Sequence, residues 1–199
     1  MGAGTLPGMP QATTDVRERI VGAAERCFAR YGVAKTTVED IAAAAGLSRA
    51  TVYRSFAGGR DEVILEVLLR DLRRFLDRLA ARLAAQTSVP EGIVEGVLDA
   101  VAFVRGEPRV AALLTPEAAG HTQTAVAGAA ESVLRLCADR VRPYFVTAQR
   151  EGLLRADITV EGAVEFLFRI ISSMIVLPGD GDPRDFLRVY VVPALTEST

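Results

Sequence analysis

Thr36-Thr37-Val38-Glu39-Asp40-Ile41-Ala42-Ala43-Ala44-Ala45-Gly46-Leu47-Ser48-Arg49-Ala50-Thr51-Val52-Tyr53-Arg54-Ser55-Phe56 reads as two short helices around a tight turn. Either leading threonine can cap a helix, because an acid lies three residues beyond each, the spacing of a reciprocal capping box. The first helix places Val38, Ile41, Ala42 and Ala45 on one face and stops at Gly46, where the tight turn wants a residue without Cβ. Ser48 then caps a second helix, Arg49 to Phe56, with Val52 and Phe56 facing inward. Ala42 is small where the helices cross, and Ile41, Ala45, Leu47 and Val52 form the core between them. The pair meets the requirements of a helix-turn-helix. Ser48, Arg49, Thr51, Arg54 and Ser55 make a polar outer face. Hydroxyl and guanidinium groups on a short helix suit the DNA major groove, where they reach base edges and phosphates.

The helical period extends outward in both directions. Upstream, Val16, Ile20, Ala23, Cys27 and Tyr31 form a stripe of 3.6-residue period that ends at Gly32. Downstream, Gly58-Gly59 breaks the chain, and Asp61-Glu62 opens a long helix with acids at its positive dipole end. Its stripe is Ile64, Leu68, Leu72, Phe75, Leu79 and Leu83, running to about Gln86. Further helices are expected over 91–105, 107–115, 125–151, 160–177 and 183–195, with Pro and Gly between them. Pro143 is expected to kink the longest of these. No strand-like alternation of useful length occurs, so the fold class is all-α. The expected division is a flexible Gly-, Pro- and Thr-rich arm at 1–14, a helix-turn-helix domain at 15–60 and a helical body at 61–199.

Composition fits this reading and closes others. With 199 residues, half of them hydrophobic, the chain can bury a core without disulfides or metals. Positive mean hydropathy excludes a wholly disordered chain. No apolar run approaches the ~18–20 residues of a membrane span. The first 14 residues carry no basic side chain and no apolar core of a signal peptide, so a cytoplasmic location is expected. Cys27 and Cys137 lie far apart and His121 is the only histidine, which argues against a metal site or disulfide scaffold. The net charge of −2 hides an asymmetry. Residues 1–60 hold eight basic and five acidic side chains, whereas the rest hold 15 and 20. A mildly basic head therefore sits on an acidic body.

From Val16 to Arg60, including the Phe28-x-x-Tyr31-Gly32 ending of the upstream helix, the pattern resembles the DNA-binding signature of the TetR family of bacterial transcription regulators. Beyond it, the chain is similar to the family in layout, a variable all-helical body. One departure follows Phe56: the family's common lysine three residues later is absent, and Ala57-Gly58-Gly59 delays the basic residue to Arg60. The resemblance implies that Arg49, Ala50, Thr51 and Arg54 face base edges, Arg favouring guanine and a methyl favouring thymine. It implies a phosphate contact for Tyr53, with Lys35, Thr36 or Thr37, and Arg60 as further phosphate ligands. Simpler roles compete: an N-cap for Ser48 rather than a base contact, packing for Tyr53, a solvated face for Arg54. The arm has no Lys or Arg before Arg17, so no minor-groove contact is expected from it.

The resemblance further implies a homodimer on a double-stranded, palindromic DNA operator. Its interface would be a four-helix bundle built from the helices near 160–177 and 183–195. Apolar residues there, among them Phe166, Phe168, Ile171, Met174, Phe186 and Tyr190, surround their helices rather than striping them. The alternative is burial in a monomer core. The middle helices would frame a cavity for a small, apolar effector, with Phe103, Leu113, Leu114, His121, Tyr144, Phe145 and Phe168 as candidate lining. Ordinary packing is the competing reading for each. Repressor is the commoner role in the family; an activator, or a helical dimeric sensor without a specific operator, are the alternatives. No cofactor and no membrane partner are expected. An enzyme is not: one histidine, no GxSxG elbow and no phosphate-binding glycine pattern are present.

Overall fold

The computed structural model describes residues 10–106, 123–177 and 179–197. These form helices α1 (Pro10–Tyr31), α2 (Val38–Ala45), α3 (Arg49–Ser55), α4 (Gly59–Ala84), α5 (Val89–Gly106), α6 (Gln123–Arg150), α7 (Val160–Val176), α8 (Pro183–Phe186) and α9 (Val192–Leu195), with a π-helical turn at Leu187–Val191. No strand occurs among the described residues, and none of their helices is long and apolar enough to cross a membrane. The expected helix at 107–115, and with it Leu113, Leu114 and His121, lies outside the described residues.

The chain divides into two compact units, Met1–Asp71 and Leu72–Thr199. The division falls inside α4, beyond the boundary expected at residue 60. The reason is packing: Val63 and Val67, from the first turns of α4, are 0% and 1% exposed in the core of the first unit. There they join Ile20, Ala24 and Phe28 of α1, Ile41 and Ala45 of α2, and Val52 and Phe56 around α3. Each large apolar side chain so buried contributes about 1.5–3 kcal/mol. The helix that leads into this unit also starts earlier than the sequence suggests. Pro10 opens α1 within the segment read as an arm, a position where its fixed φ and missing N–H cost a helix nothing.

In the second unit one cluster joins Val94, Val97 and Val101 of α5, Phe145 and Ala148 of α6, Ala163 of α7, and Leu187, Val191 and Leu195. A smaller one joins Phe75, Leu76, Leu79 and Leu83 of α4. The expected last helix is continuous in direction but widens into its π turn just before Pro193. Pro193 has no N–H to return to the preceding turn, and a wider turn accommodates the orphaned carbonyl. Outside the core, Val176, Leu177, Val189 and Tyr190 are 51%, 72%, 60% and 69% exposed, and Phe186 is 43% exposed against Tyr190.

Candidate nucleic-acid interface

The two helices of the candidate site are fixed at their ends by their own side chains. Thr37, not Thr36, caps α2: its Oγ1 accepts from the Asp40 N–H at 3.2 Å, and the Asp40 carboxylate accepts from the Thr37 N–H at 2.9 Å. The Thr37 N–H bond foremost, and a 2.7 Å bond that the Thr37 hydroxyl donates to the same carboxylate, hold the Asp40 carboxyl below its ordinary range. Gly46 ends α2 at φ 65°, and the Leu47 N–H then reaches back to the Ala42 carbonyl at 2.9 Å. That left-handed step turns the chain within two residues. Ser48 caps α3, accepting from the Thr51 N–H at 3.1 Å and sharing a 2.9 Å hydrogen bond with the Thr51 hydroxyl. Its side chain is thereby engaged as a cap, the simpler of its two readings.

Three arginines of α1 clamp the ends of α2 and α3, their guanidiniums donating to backbone carbonyls. Arg19 reaches the Ala45 carbonyl at 3.0 Å and Arg26 the Ala44 carbonyl at 3.3 Å, both at the negative end of α2. Arg17 donates to the Ser55 carbonyl and lies 4.0 Å from the centre of the Phe56 ring. Nothing in the spacing of α1 marks these arginines as fasteners, because the carbonyls they meet are 18 to 38 residues away in sequence.

The geometry revises two of the expected phosphate ligands. Thr36 is 1% exposed; its hydroxyl donates to the Gly32 carbonyl at 2.8 Å and its N–H to the Val33 carbonyl at 3.2 Å. It locks the loop before α2 and has no donor left for a phosphate. Arg60 is turned to the same loop, with Nε on the Thr36 carbonyl at 2.8 Å and Nη2 on the Val33 carbonyl at 2.5 Å. The delay of this basic residue by Gly58-Gly59 accounts for the change. Gly59 sits at φ 60°, and a Cβ there would lie 2.8 Å from the Tyr53 ring, so the Tyr53 side chain covers a position that only glycine leaves open.

What remains on the surface is a compact set. Lys35, Thr37, Ser48, Arg49, Ala50, Tyr53 and Arg54 are exposed, and Thr51 is half-buried. Arg49 is the most constrained of them. Its Nη1 lies 2.6 Å from a Glu39 carboxylate oxygen, its Nη2 donates to the Tyr53 hydroxyl at 3.4 Å, and its guanidinium lies 5.3 Å from the Tyr53 ring centre. Lys35 shares a groove of about 330 Å³ with Arg30, Tyr31 and Asp40. Sequence reading missed Glu39 as a partner of Arg49, although the i, i+4 spacing of Arg49 and Tyr53 was visible.

Of the seven candidate effector residues, Phe103, Tyr144, Phe145 and Phe168 lie among the described residues of the second unit. Phe145 is buried in the core, Phe103 stacks on Phe75 with ring centres 4.5 Å apart, and Phe168 is half-buried on α7. The Tyr144 hydroxyl is buried and has no hydrogen-bond partner among the described residues, and burial raises its pKa. A separate groove of about 420 Å³ is lined by Leu79, Arg82, Leu83, Gln86, Glu91, Gly92, Glu95, Gly96 and Asp99.

Comparison with known proteins agrees with the first unit most closely. Residues 20–67 match the family model of bacterial regulatory proteins, tetR family. An uncharacterised HTH-type transcriptional regulator of Mycobacterium tuberculosis is 28% identical over 188 residues, covering 92% of this chain and 86% of that protein. Among solved structures, the Thermus thermophilus repressor FadR in complex with lauroyl-CoA superposes with a TM-score of 0.58 at 24% identity, covering 86% of this chain and 89% of that one. A Saccharomonospora viridis regulator in complex with choline gives 0.57 at 22% identity, covering 93% and 100%.

Proposed function

Because this chain belongs to the TetR family of bacterial transcriptional regulators, we propose that it is a cytoplasmic, homodimeric repressor released from a palindromic operator by a small molecule. The observation that carries the DNA-binding half is the outer face of α3. Arg49, Ala50, Tyr53 and Arg54 are exposed on a helix whose two ends are pinned by Ser48 and by the buried Phe56 ring. Arg49, Ala50, Thr51 and Arg54 are assigned to base edges, and Tyr53, Thr37 and Lys35 to phosphates. Thr36 and Arg60 are assigned to the scaffold.

A single head of this size has too small a footprint for tight specific binding, which favours a dimer. Val176, Leu177, Phe186, Val189 and Tyr190 supply the apolar surface for it. A two-fold dimer then reads half-sites about one helical turn apart or slightly more. For the effector, the buried and unpartnered Tyr144 hydroxyl supports a ligand with an acceptor atom beside an apolar group. Lauroyl-CoA and choline in the two structural neighbours are chemically unlike each other, so neither is assigned here. Release requires the effector to bind the DNA-incompetent arrangement more tightly than the competent one, and α4, with residues in both units, is assigned to carry the change. No catalytic step is assigned.

The test is selection of double-stranded DNA from a random pool by the full chain, followed by a release screen with acyl-CoAs and quaternary ammonium compounds. The expected result is enrichment of one two-fold symmetric sequence, released by a compound of one class. A pool that enriches nothing would leave the alternative of a dimeric sensor without an operator.

A further inference from the structure

We propose that Glu39 is a specificity-determining residue: together with Tyr53 it positions the Arg49 guanidinium to read one base pair of the operator. The inference rests on the assignment of the α3 face to DNA. Arg49 stands at the first helical position of α3, so its long side chain is free to swing. Three contacts hold it in one place. Glu39, on the first turn of α2, accepts from Nη1 at 2.6 Å; the Tyr53 hydroxyl accepts from Nη2 at 3.4 Å; and the Tyr53 ring lies beneath the guanidinium at 5.3 Å. Both platforms are themselves fixed. Glu39 lies within the capping box closed by Thr37 and Asp40, and the Tyr53 ring sits against the bare Cα of Gly59.

The chemistry leaves the reading edge open. Nη1 and Nη2 carry two hydrogens each, so after the bonds to Glu39 and Tyr53 one hydrogen on each nitrogen remains for a pair of acceptors. Guanine offers such a pair in the major groove, O6 and N7, and no other base does. A guanidinium held in one plane loses less freedom on meeting that pair, and it cannot swing to a phosphate when the base is wrong. Glu39 also opposes non-specific binding, because a half-exposed carboxylate beside the DNA surface is repelled by phosphates whatever the sequence. Removing its charge should therefore tighten binding to random DNA while loosening the choice of base, two effects of opposite sign that a merely structural residue does not produce.

The experiment uses the operator enriched by the full-length wild-type chain. Symmetric substitutions through each half-site, measured against Arg49→Ala, identify the base pair that Arg49 reads. Discrimination at that pair is then compared in wild type, Glu39→Gln and the Glu39→Gln/Arg49→Ala double variant, with random-sequence duplex as the second ligand. The expected wild-type preference for guanine is about tenfold or more; Glu39→Gln reduces it about threefold or more and raises affinity for random DNA. In the Arg49→Ala background the Glu39 change has no further effect on discrimination. Unchanged discrimination in Glu39→Gln overturns the inference, as does an equal loss of affinity for every sequence. If wild type enriches no operator, the DNA assignment fails first and this inference falls with it.

Discussion

The two units hold most of their arginines differently. In the first, Arg17, Arg19, Arg26 and Arg60 spend their hydrogen bonds on backbone carbonyls, with carboxylates at looser distances such as the 3.5 Å of Arg17–Glu62; Arg49, 2.6 Å from Glu39, is an exception on the outer face. In the second, Arg82, Arg140, Arg142, Arg184 and Arg188 pair with Asp99, Asp77, Glu161, Glu95 and Glu91. A carboxylate cancels the charge it meets, whereas a carbonyl leaves it standing. Residues 1–60, with eight basic and five acidic side chains, therefore keep their positive balance even where their arginines are occupied, and these structural cations still add to the field that a phosphate backbone feels. The second unit gains cross-helix pairs, while Asp61, Glu62, Glu66 and Asp71, part of the acidic excess of residues 61–199, belong to the first.

The largest effect should come from breaking the head alone. Phe56→Ala removes a fully buried ring from the first core, at a cost of about 3–5 kcal/mol. Amide exchange should then lose protection in α1–α3 while α6 and α7 keep theirs. Simultaneous loss in both units would show that the two cores are not separable. Next in size is Arg49→Ala, which in a dimer removes a base-reading side chain from each half-site and should weaken operator binding about a hundredfold. The same variant should melt where wild type does, since its ion pair with Glu39 is exposed on both sides.

The contrast between carbonyl-bound and DNA-facing cations is tested by Arg60 and Lys35. Arg60→Gln removes two bonds to the loop before α2 and should destabilise the head by about 2 kcal/mol. Its salt dependence of operator binding should change little. Lys35→Gln should do the reverse, with unchanged stability and a salt slope shallower by about one for each phosphate it no longer neutralises. Equal slopes for the two variants would mean that both cations, or neither, reach the phosphate backbone.

Much of this was legible in the sequence because it is written locally. The capping boxes, Gly46 and the 3.6-residue stripes lie within a few positions of one another, so the helices and the turn could be read directly. Ser48 as a cap, and Val52 and Phe56 as core, followed from the same short spacings. What escaped depends on chain segments meeting from afar. Whether Thr36 or Thr37 caps α2 turns on the Gly32 carbonyl that takes the Thr36 hydroxyl, and the inward turn of Arg60 turns on the carbonyls of Val33 and Thr36. Aromatic content marked Phe103, Phe145 and Phe168 as candidates for a cavity, but composition cannot distinguish a ring that lines a space from one that fills it.

Acid should separate the units more gently. In the body, hydrogen bonds from arginine hold Glu91, Glu95, Asp157 and Glu161 below their ordinary range; in the head, bonds from Thr37 do so for Asp40. A carboxylate with a lowered folded-state pKa contributes stability that is complete above its ordinary pKa and is lost as pH falls through the folded value. Both units should therefore be insensitive above about pH 5 and weaken below about pH 4, the body more than the head. Unit-resolved amide exchange across that range reads the difference. Asp40→Asn should remove the smaller, head-specific part.

The smallest effect distinguishes two buried hydroxyls. Thr36 in the head has its donor satisfied by Gly32, whereas Tyr144 in the body finds no acceptor among the described residues. Thr36→Val deletes a hydrogen bond and strands a carbonyl, so the head should lose about 1 kcal/mol. Tyr144→Phe deletes a hydroxyl that contributes nothing in the free protein, so the body should be unchanged or gain up to about 1 kcal/mol. If an effector supplies the missing acceptor, Tyr144→Phe should also raise the concentration needed to release operator DNA, without altering operator affinity in its absence. A destabilised Tyr144→Phe would mean that the hydroxyl already has a partner, and the effector contact would then have to be sought on another residue of the body.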